Sequence, residues 1–167
     1  MSDMAWRQAT AADLDTVVSI QECVHTLEPE TREVFAAKLE AFPLGCRVLG
    51  NAGGLVGYGV FHPWRSNRVP ALHALPFIMP DPADCFFVHD VALLPPARGQ
   101  GAARMLLDFI EQTARNRGVQ TLSLVSVYGS APIWQRLGFQ ISPVKLDVAK
   151  RAQYGDTACF MTLILPP

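Results

Sequence analysis

Apolar positions along this chain fall into two rhythms. Short runs are continuous or alternate every second residue, and longer stretches are spaced three and four apart. That mixture predicts strands interleaved with helices. Residues 5–9 read as a short strand. Thr10 and Asp13 then have the form of a capping box, with Asp where Glu or Gln is usual. A helical stripe through Leu14, Val17, Val18 and Ile20 follows, running to about His25. A second helix is predicted from Pro29 to Phe42. Pro29 and Glu30 suit its first turn, and Val34, Phe35, Leu39 and Phe42 its buried face. Residues 45–50 and 55–64 are strand-like, with hairpin chemistry in Asn51-Ala-Gly-Gly54 between them.

The second half is patterned more strongly. Residues 86–94 are apolar on both faces, as in a central strand, and Pro95-Pro96 ends it. A helix opens at Arg98-Gly-Gln-Gly-Ala-Ala103, with Met105, Leu106, Phe109, Ile110 and Ala114 as its stripe and Gly118 as its stop. Residues 121–127 alternate as a strand. Ser130 starts a short helix with Pro132 in its first turn, ending at Leu137 and Gly138. Residues 139–148 and 157–165 read as a closing hairpin. Between the halves, residues 63–96 hold seven of the thirteen prolines. Their first part, 65–83, has no periodicity and reads as a long ordered loop. It is either a binding wall in which Trp64, His73, Phe77 and Met79 line a cavity, or a surface loop pinned by those side chains. No repeat or low-complexity tract divides the chain, so residues 1–167 read as one α/β domain.

Composition narrows the class. The chain has 14 basic against 15 acidic residues, which removes the electrostatic case for nucleic acid. Half the residues are hydrophobic and the mean hydropathy is +0.18, yet no apolar run reaches the roughly 18 residues of a membrane span. The N-terminal stretch lacks the charged start and apolar core of a signal peptide, so a cytoplasmic location is expected. Cys23, Cys46, Cys85 and Cys159 are far apart and each lies in an apolar stretch, as buried hydrophobes would. With no paired Cys or His spacing, no metal site is expected.

The chemistry is concentrated at the glycine turn. Small residues at Gly99, Gly101, Ala102 and Ala103, with Gln100 between, let a ligand approach the main chain. The first-turn N–H groups and the helix dipole make an anion site suited to a pyrophosphate, and Arg98 adds a forked cation. A tight strand–helix turn needing glycine only for its backbone would look the same. The turn is neither a P-loop, since no Gly-Lys occurs, nor a dinucleotide fingerprint, since Arg104 stands where the third glycine belongs.

Two motifs together are similar to the GNAT N-acetyltransferase superfamily. Arg98-x-x-Gly101-x-Ala103 matches that family's Arg/Gln-x-x-Gly-x-Gly/Ala after a central strand. Ala131-Pro-Ile-Trp-Gln-Arg-Leu-Gly138-Phe139 matches its short helix ending in Gly-Phe, and a helix and a strand separate the two. The resemblance implies a mixed, mostly antiparallel sheet with a central splayed parallel strand pair, flanked by helices. It implies acetyl-CoA as co-substrate, held by main-chain groups of Val91, Ala92 and Leu93 and by the turn from Arg98 to Ala103. Ser126 to Tyr128 would end the partner strand, and Trp134 would pack on cofactor or core.

Direct transfer of acetyl to an amine requires deprotonation of an alkylammonium, a donor for the carbonyl oxygen and departure of a thiolate. His89 is the candidate base, since a neutral imidazole with pKa about 6.5 is available at pH 7. It lies at the strand offset where some members of the family carry a catalytic histidine. Asp90 would attract a cationic amine or hold a relaying water. Both residues also read as ordinary satisfied strand positions. The N–H of Val91 or Ala92 would face the carbonyl oxygen. Trp134 replaces the Tyr that commonly serves the family as acid, and the frequent Asn near this helix is absent. Tyr128 is the substitute acid, and a thiol of pKa about 8.5 leaves unaided in any case. The expected acceptor is a small-molecule amine. The alternatives are an acyl-CoA sensor without turnover, and a protein lysine or N-terminal acetyltransferase. A homodimer is in keeping with the family, although no segment shows an interface.

Overall fold

A computed structural model describes residues 3–25 and 29–167, so Met1 and Ser2 of the N-terminal stretch lie outside it. The chain begins with strand β1 (Ala5–Gln8) and helix α1 (Leu14–Val24). The capping box between them is formed: the Asp13 carboxylate accepts the Thr10 N–H at 2.8 Å and grips Arg7 through two bonds of 2.7 and 2.8 Å. Helix α2 (Arg32–Ala41) is followed by β2 (Cys46–Asn51), β3 (Gly54–Trp64) and β4 (Cys85–Leu93). Helix α3 (Ala102–Asn116), β5 (Thr121–Ser126), α4 (Ala131–Arg136), β6 (Gln140–Ile141), α5 (Val148–Tyr154) and β7 (Cys159–Ile164) complete it.

Among the described residues seven strands form one sheet in the order β1-β2-β3-β4-β5-β7-β6. Every pairing is antiparallel except β4 with β5. The two faces carry separate cores. One packs α1 and α2 over Val48, Tyr58, Val60 and Ala92. The other packs α3 and the Phe139 turn over Phe61, Phe86, Leu122 and Leu124. Gly59 lets α3 close on the sheet, because a Cβ there would overlap the Leu106 side chain. Among the described residues no helix is long and apolar enough to cross a membrane.

Four sequence expectations change. Helix α2 starts at Arg32, with Thr31 as N-cap, so Pro29 and Glu30 lie outside it. Three donors claim the Glu30 carboxylate elsewhere, and the buried fourth position of the α2 face is Lys38. In α3, Met105 is exposed and Leu107 takes its place in the core. The closing hairpin is interrupted: β6 is two residues long, and α5 stands between it and β7. Asp147 caps that helix by accepting the Lys150 N–H, and its one buried residue, Tyr154, is too little to register as a stripe. Cys46 and Cys85 are buried as expected, but Cys23 is exposed.

The segment between β3 and β4 has no regular structure, as expected. Phe77 stacks on Trp64 at 6.2 Å between ring centroids and meets His62 edge-on at 4.8 Å, while Met79 packs on the core. Those side chains pin the loop, and Leu72 is the loop residue on the cavity. Tyr154 of α5 donates its hydroxyl proton to Pro70 O at 2.9 Å, tying the two outer walls together.

Candidate active site

The site exists because β4 and β5 part company. They pair only over Phe86–Val88 and Leu122–Leu124. Beyond that point β4 continues against β3 and β5 continues against β7. The gap widens into a cavity of about 490 Å³. Val91, Leu93, Arg98 and Ala103 line one end, and Val125, Val127, Ile133 and Trp134 the flank. Gln21, His25, Glu30, His89, Asp90, Tyr128 and Tyr154 line the other end.

Main-chain direction on β4 follows from one bond. Leu94 N–H reaches Val56 O at 2.8 Å, and antiparallel pairing alternates, so Ala92 also turns its N–H and C=O toward β3. Val91 and Leu93 then turn theirs into the gap. Ala92 itself is 1% exposed and its methyl belongs to the opposite core. Leu93 O accepts the Arg98 Nε–H at 2.9 Å, which fixes the start of the glycine turn. Gly99 and Gly101 have φ of 68° and 78°, and a Cβ at either would meet nothing within 4 Å. The first backbone bond of α3 runs from Met105 N–H to Gly101 O. The N–H groups of Ala102, Ala103 and Arg104 precede it, pointing out of the helix start as an anion cradle. Arg104 is committed elsewhere, to Asp108 and Glu111 at 2.7 Å each. Gln100 is exposed on the turn. Ser126 is 1% exposed, and its hydroxyl has no partner among the described residues.

At the His89–Asp90 end a bulge changes the side chains' aim. Val60 pairs with Asp90 and Phe61 with Val88, which leaves His89 as an extra residue in β4. His89 and Asp90 therefore both reach the α1–α2 face, instead of opposite faces. Each anchors a separate polar chain.

The first chain is Lys38–Glu30–His89–His62. Glu30 Oε1 pairs with His89 Nε2 at 2.7 Å, and Oε2 accepts from Lys38 Nζ at 3.4 Å and from His73 N–H at 2.9 Å. Burial opposes its charge, but His89, Lys38 and the His73 N–H outweigh it and hold the carboxyl well below the usual range. His62 Nδ1 must donate to Pro63 O, 3.1 Å away, because a carbonyl only accepts. Burial, reinforced by His89, holds His62 neutral, so its Nε2 is an acceptor. His89 Nδ1 lies 3.4 Å from it, and His89 Nε2 donates to Glu30. Both ring nitrogens of His89 are thus engaged by neighbours, and the side chain is 2% exposed.

The second chain is Tyr128–His25–Asp90–Tyr58. Asp90 accepts from Tyr58 Oη at 2.5 Å and from His25 Nε2 at 2.8 Å. The other ring nitrogen, His25 Nδ1, lies 3.3 Å from Tyr128 Oη. Burial opposes a charge on His25, but the hydrogen bond and charge of Asp90, helped by Glu30, raise its pKa above the ordinary value. Burial and Asp90 push Tyr58 well up, and the same causes raise Tyr128. Tyr128 is 51% exposed, lines the cavity and sits at φ 54°, an uncommon conformation for a side-chain-bearing residue. Trp134 lines the flank and packs edge-on against Phe139, with ring centroids 5.6 Å apart.

Glu30, His25, Tyr58, Lys38 and His62 were not marked by the sequence as site residues. His25 and Glu30 straddle the α1–α2 connection, which carries no motif, and only the fold brings them to β4.

No curated protein sequence matches the chain. Among solved structures, it aligns with N-acetylglutamate synthase from Neisseria gonorrhoeae in complex with coenzyme A and N-acetyl-glutamate, at TM-score 0.72 and 21% identity. That match covers all of this chain but only 36% of the synthase. Ard1 from Thermoplasma volcanium aligns at TM-score 0.72 and 18% identity, over 98% of this chain and 99% of that one. The loading GNATL domain of CurA from Lyngbya majuscula aligns at 0.78 and 15%, over 96% and 97%. At such identities these likenesses show the fold. The sequence profile of the acetyltransferase (GNAT) family matches residues 12–139, a span that holds the glycine turn, the splayed strands and the Gly-Phe turn. The chain belongs to the acetyltransferase (GNAT) family, and with it to the acyltransferases.

Proposed function

We propose that this protein transfers the acetyl group of acetyl-CoA directly to the amine of a small molecule. The observation that carries the reading is one cavity with two chemically different ends. A main-chain anion cradle with Arg98 closes one end, and Asp90 with the Tyr128 hydroxyl closes the other. The splay of β4 and β5 joins them.

The residues present fit acetyl-CoA. The bare N–H groups of Ala102 and Ala103, the open space over Gly99 and Gly101, and the Arg98 guanidinium suit a pyrophosphate. The gap-facing main chain of Val91 and Leu93 suits an amide-bearing arm. When bound, acetyl-CoA supplies the activated acetyl thioester. Val91 N–H is the β4 donor available to the acetyl carbonyl oxygen, because Ala92 N–H is spent on β3. Asp90 supplies the negative charge that draws an ammonium inward. His89, whose Nε2 donates to the Glu30 carboxylate, holds Glu30 in place. Trp134 carries no useful acid, and a thiol of pKa about 8.5 departs without one. Leu72 and Tyr154, the latter tied to the loop through Pro70 O, wall the cavity, which favours a compact amine over an extended peptide.

The test is release of CoA thiol from acetyl-CoA across a panel of primary alkyl- and arylalkylamines. Turnover with members of the panel is expected. Tight acetyl-CoA binding with no release would make the protein an acyl-CoA-binding sensor instead, and labelling of lysates only on proteins would identify a protein acetyltransferase.

A further inference from the structure

The reaction needs a base, and both nitrogens of the His89 ring are engaged, by Glu30 at 2.7 Å and by His62 at 3.4 Å. We infer that Tyr128, His25 and Asp90 form a proton relay in which the acceptor ammonium gives its proton to the Tyr128 oxygen as the Tyr128 hydroxyl proton passes to His25 Nδ1. The inference rests on the acetyl-transfer reading of the same cavity.

Donor and acceptor bookkeeping sets the direction of the relay. Asp90 accepts only, so His25 Nε2, 2.8 Å from Oδ1, carries a proton and the neutral ring presents a bare Nδ1. That atom faces Tyr128 Oη at 3.3 Å. The Tyr128 side chain is half exposed and lines the cavity, so its oxygen is the part of the relay an amine reaches. Asp90 is itself held by Tyr58 at 2.5 Å, which fixes the carboxylate and hence the imidazole. The logic is that of an acid–base triad: an outer hydroxyl, a middle imidazole and an inner carboxylate that orients the ring and balances its charge.

Protons and charge balance. The ammonium loses one proton, His25 gains one, and Tyr128 is unchanged. The freed nitrogen lone pair forms the bond to the acetyl carbon, the carbon–sulfur bond breaks, and the nitrogen's second departing proton leaves with sulfur as the CoA thiol. Ammonium and thioester thus become amide, thiol and one proton on His25. Before transfer the cation beside Asp90 is the ammonium, and afterwards it is the imidazolium, so no net charge is created in the buried end. The groups facing His25 all favour this state: Asp90 from β4, Glu30 from the segment before α2, and Tyr128 after β5. Tyr58 of β3 stands behind Asp90, and Lys38 of α2 is on the far side of Glu30.

The relay is tested on the full chain with acetyl-CoA and the amine panel, comparing wild type with His25→Gln and Tyr128→Phe. Wild type should show an acidic limb in kcat/KM for the amine. His25→Gln should remove that limb and lower kcat by about 100-fold, the low end for general-base catalysis. Acetyl-CoA affinity should be unchanged, which also reports that the variant folds. Tyr128→Phe removes one exposed oxygen and should lower kcat while leaving the limb. As a check independent of turnover, the His25 Cε1–H resonance should titrate above an ordinary histidine in wild type and fall in Asp90→Asn. Wild-type kcat and limb in His25→Gln, or no dependence of the His25 titration on Asp90, overturns the relay and leaves acetyl transfer standing. Failure of wild type to release CoA with any amine overturns acetyl transfer and the relay with it.

Discussion

Replacing Glu30 by Gln should unfold this protein more readily than any typical surface change, and the structure sets the size of the effect. Glu30 is the carboxylate paired with Lys38, whose side chain is 4% exposed and lies over the Phe77 ring. Gln keeps the shape and still offers an oxygen to the His73 N–H, but it leaves the buried ammonium without a counter-charge. Breaking a buried pair from one side costs about 3–5 kcal/mol. The 3.4 Å separation of Nζ and Oε2 puts this pair at the lower end, about 3 kcal/mol. For a chain of this size that is a fall of roughly 6–12 °C in Tm. Urea denaturation at pH 7 measures it directly, read as a change of midpoint at constant slope. Glu30→Gln combined with Lys38→Met removes both charges, so the pair should cost clearly less than the two single changes added. The pH dependence has a definite sign. The Glu30 carboxyl lies below its usual range, so its contribution is complete above about pH 4.3 and is lost as pH falls further. The gap between wild type and Glu30→Gln should therefore close in acid. A single-variant cost under about 1 kcal/mol, the size of a surface ion pair, would refute this reasoning. So would a double variant that costs the full sum.

Asp13→Asn loses the Arg7 pair and the charged cap on Thr10 N–H, and should cost about 1–2 kcal/mol at pH 7. The Arg7 hydrogen bonds, with the Thr10 N–H, outweigh burial and hold Asp13 at about 2, so that difference should persist at pH 5 and shrink toward pH 2. Equilibrium unfolding at the three pH values checks both points. Arg98→Ala should weaken acetyl-CoA binding about 10- to 100-fold, the size of a charge-assisted contact, with kcat little changed. Calorimetric titration that finds affinity within twofold of wild type would remove Arg98 from the anion site. Gly45→Ala should destabilise by more than about 3 kcal/mol, since its Cβ would overlap the Phe61 carbonyl oxygen, a backbone atom that cannot step aside. A soluble variant with an unchanged Tm would show that the turn before β2 has room.

Much of the frame is legible in the sequence. The central strand, the glycine turn, the amphipathic α3 and the Gly-Phe turn all depend on contacts within a few residues, which periodicity and turn chemistry report. What escaped was short or depended on distant partners. Helix α5 is seven residues with one buried side chain, so it leaves no stripe. Glu30 read as a first-turn acid because that is the local optimum. Its three donors lie on α2, on the β3–β4 loop and on β4, and they draw it out of the helix.

By itself the sequence determined the alternation of elements, the glycine turn that opens α3 and, through two motifs at the right separation, the family. These are local properties: a helix start binds a phosphate with its own N–H groups, whatever lies across the molecule. The tertiary structure alone decided which groups meet around His89 and Asp90. The bulge at His89 turns two neighbouring side chains to one face, and the fold brings His25 to Asp90 and Glu30 to His89 across 65 and 59 residues of chain. Proton positions then follow from which partner can only accept. That is a property of contacts, and no spacing along the chain encodes it.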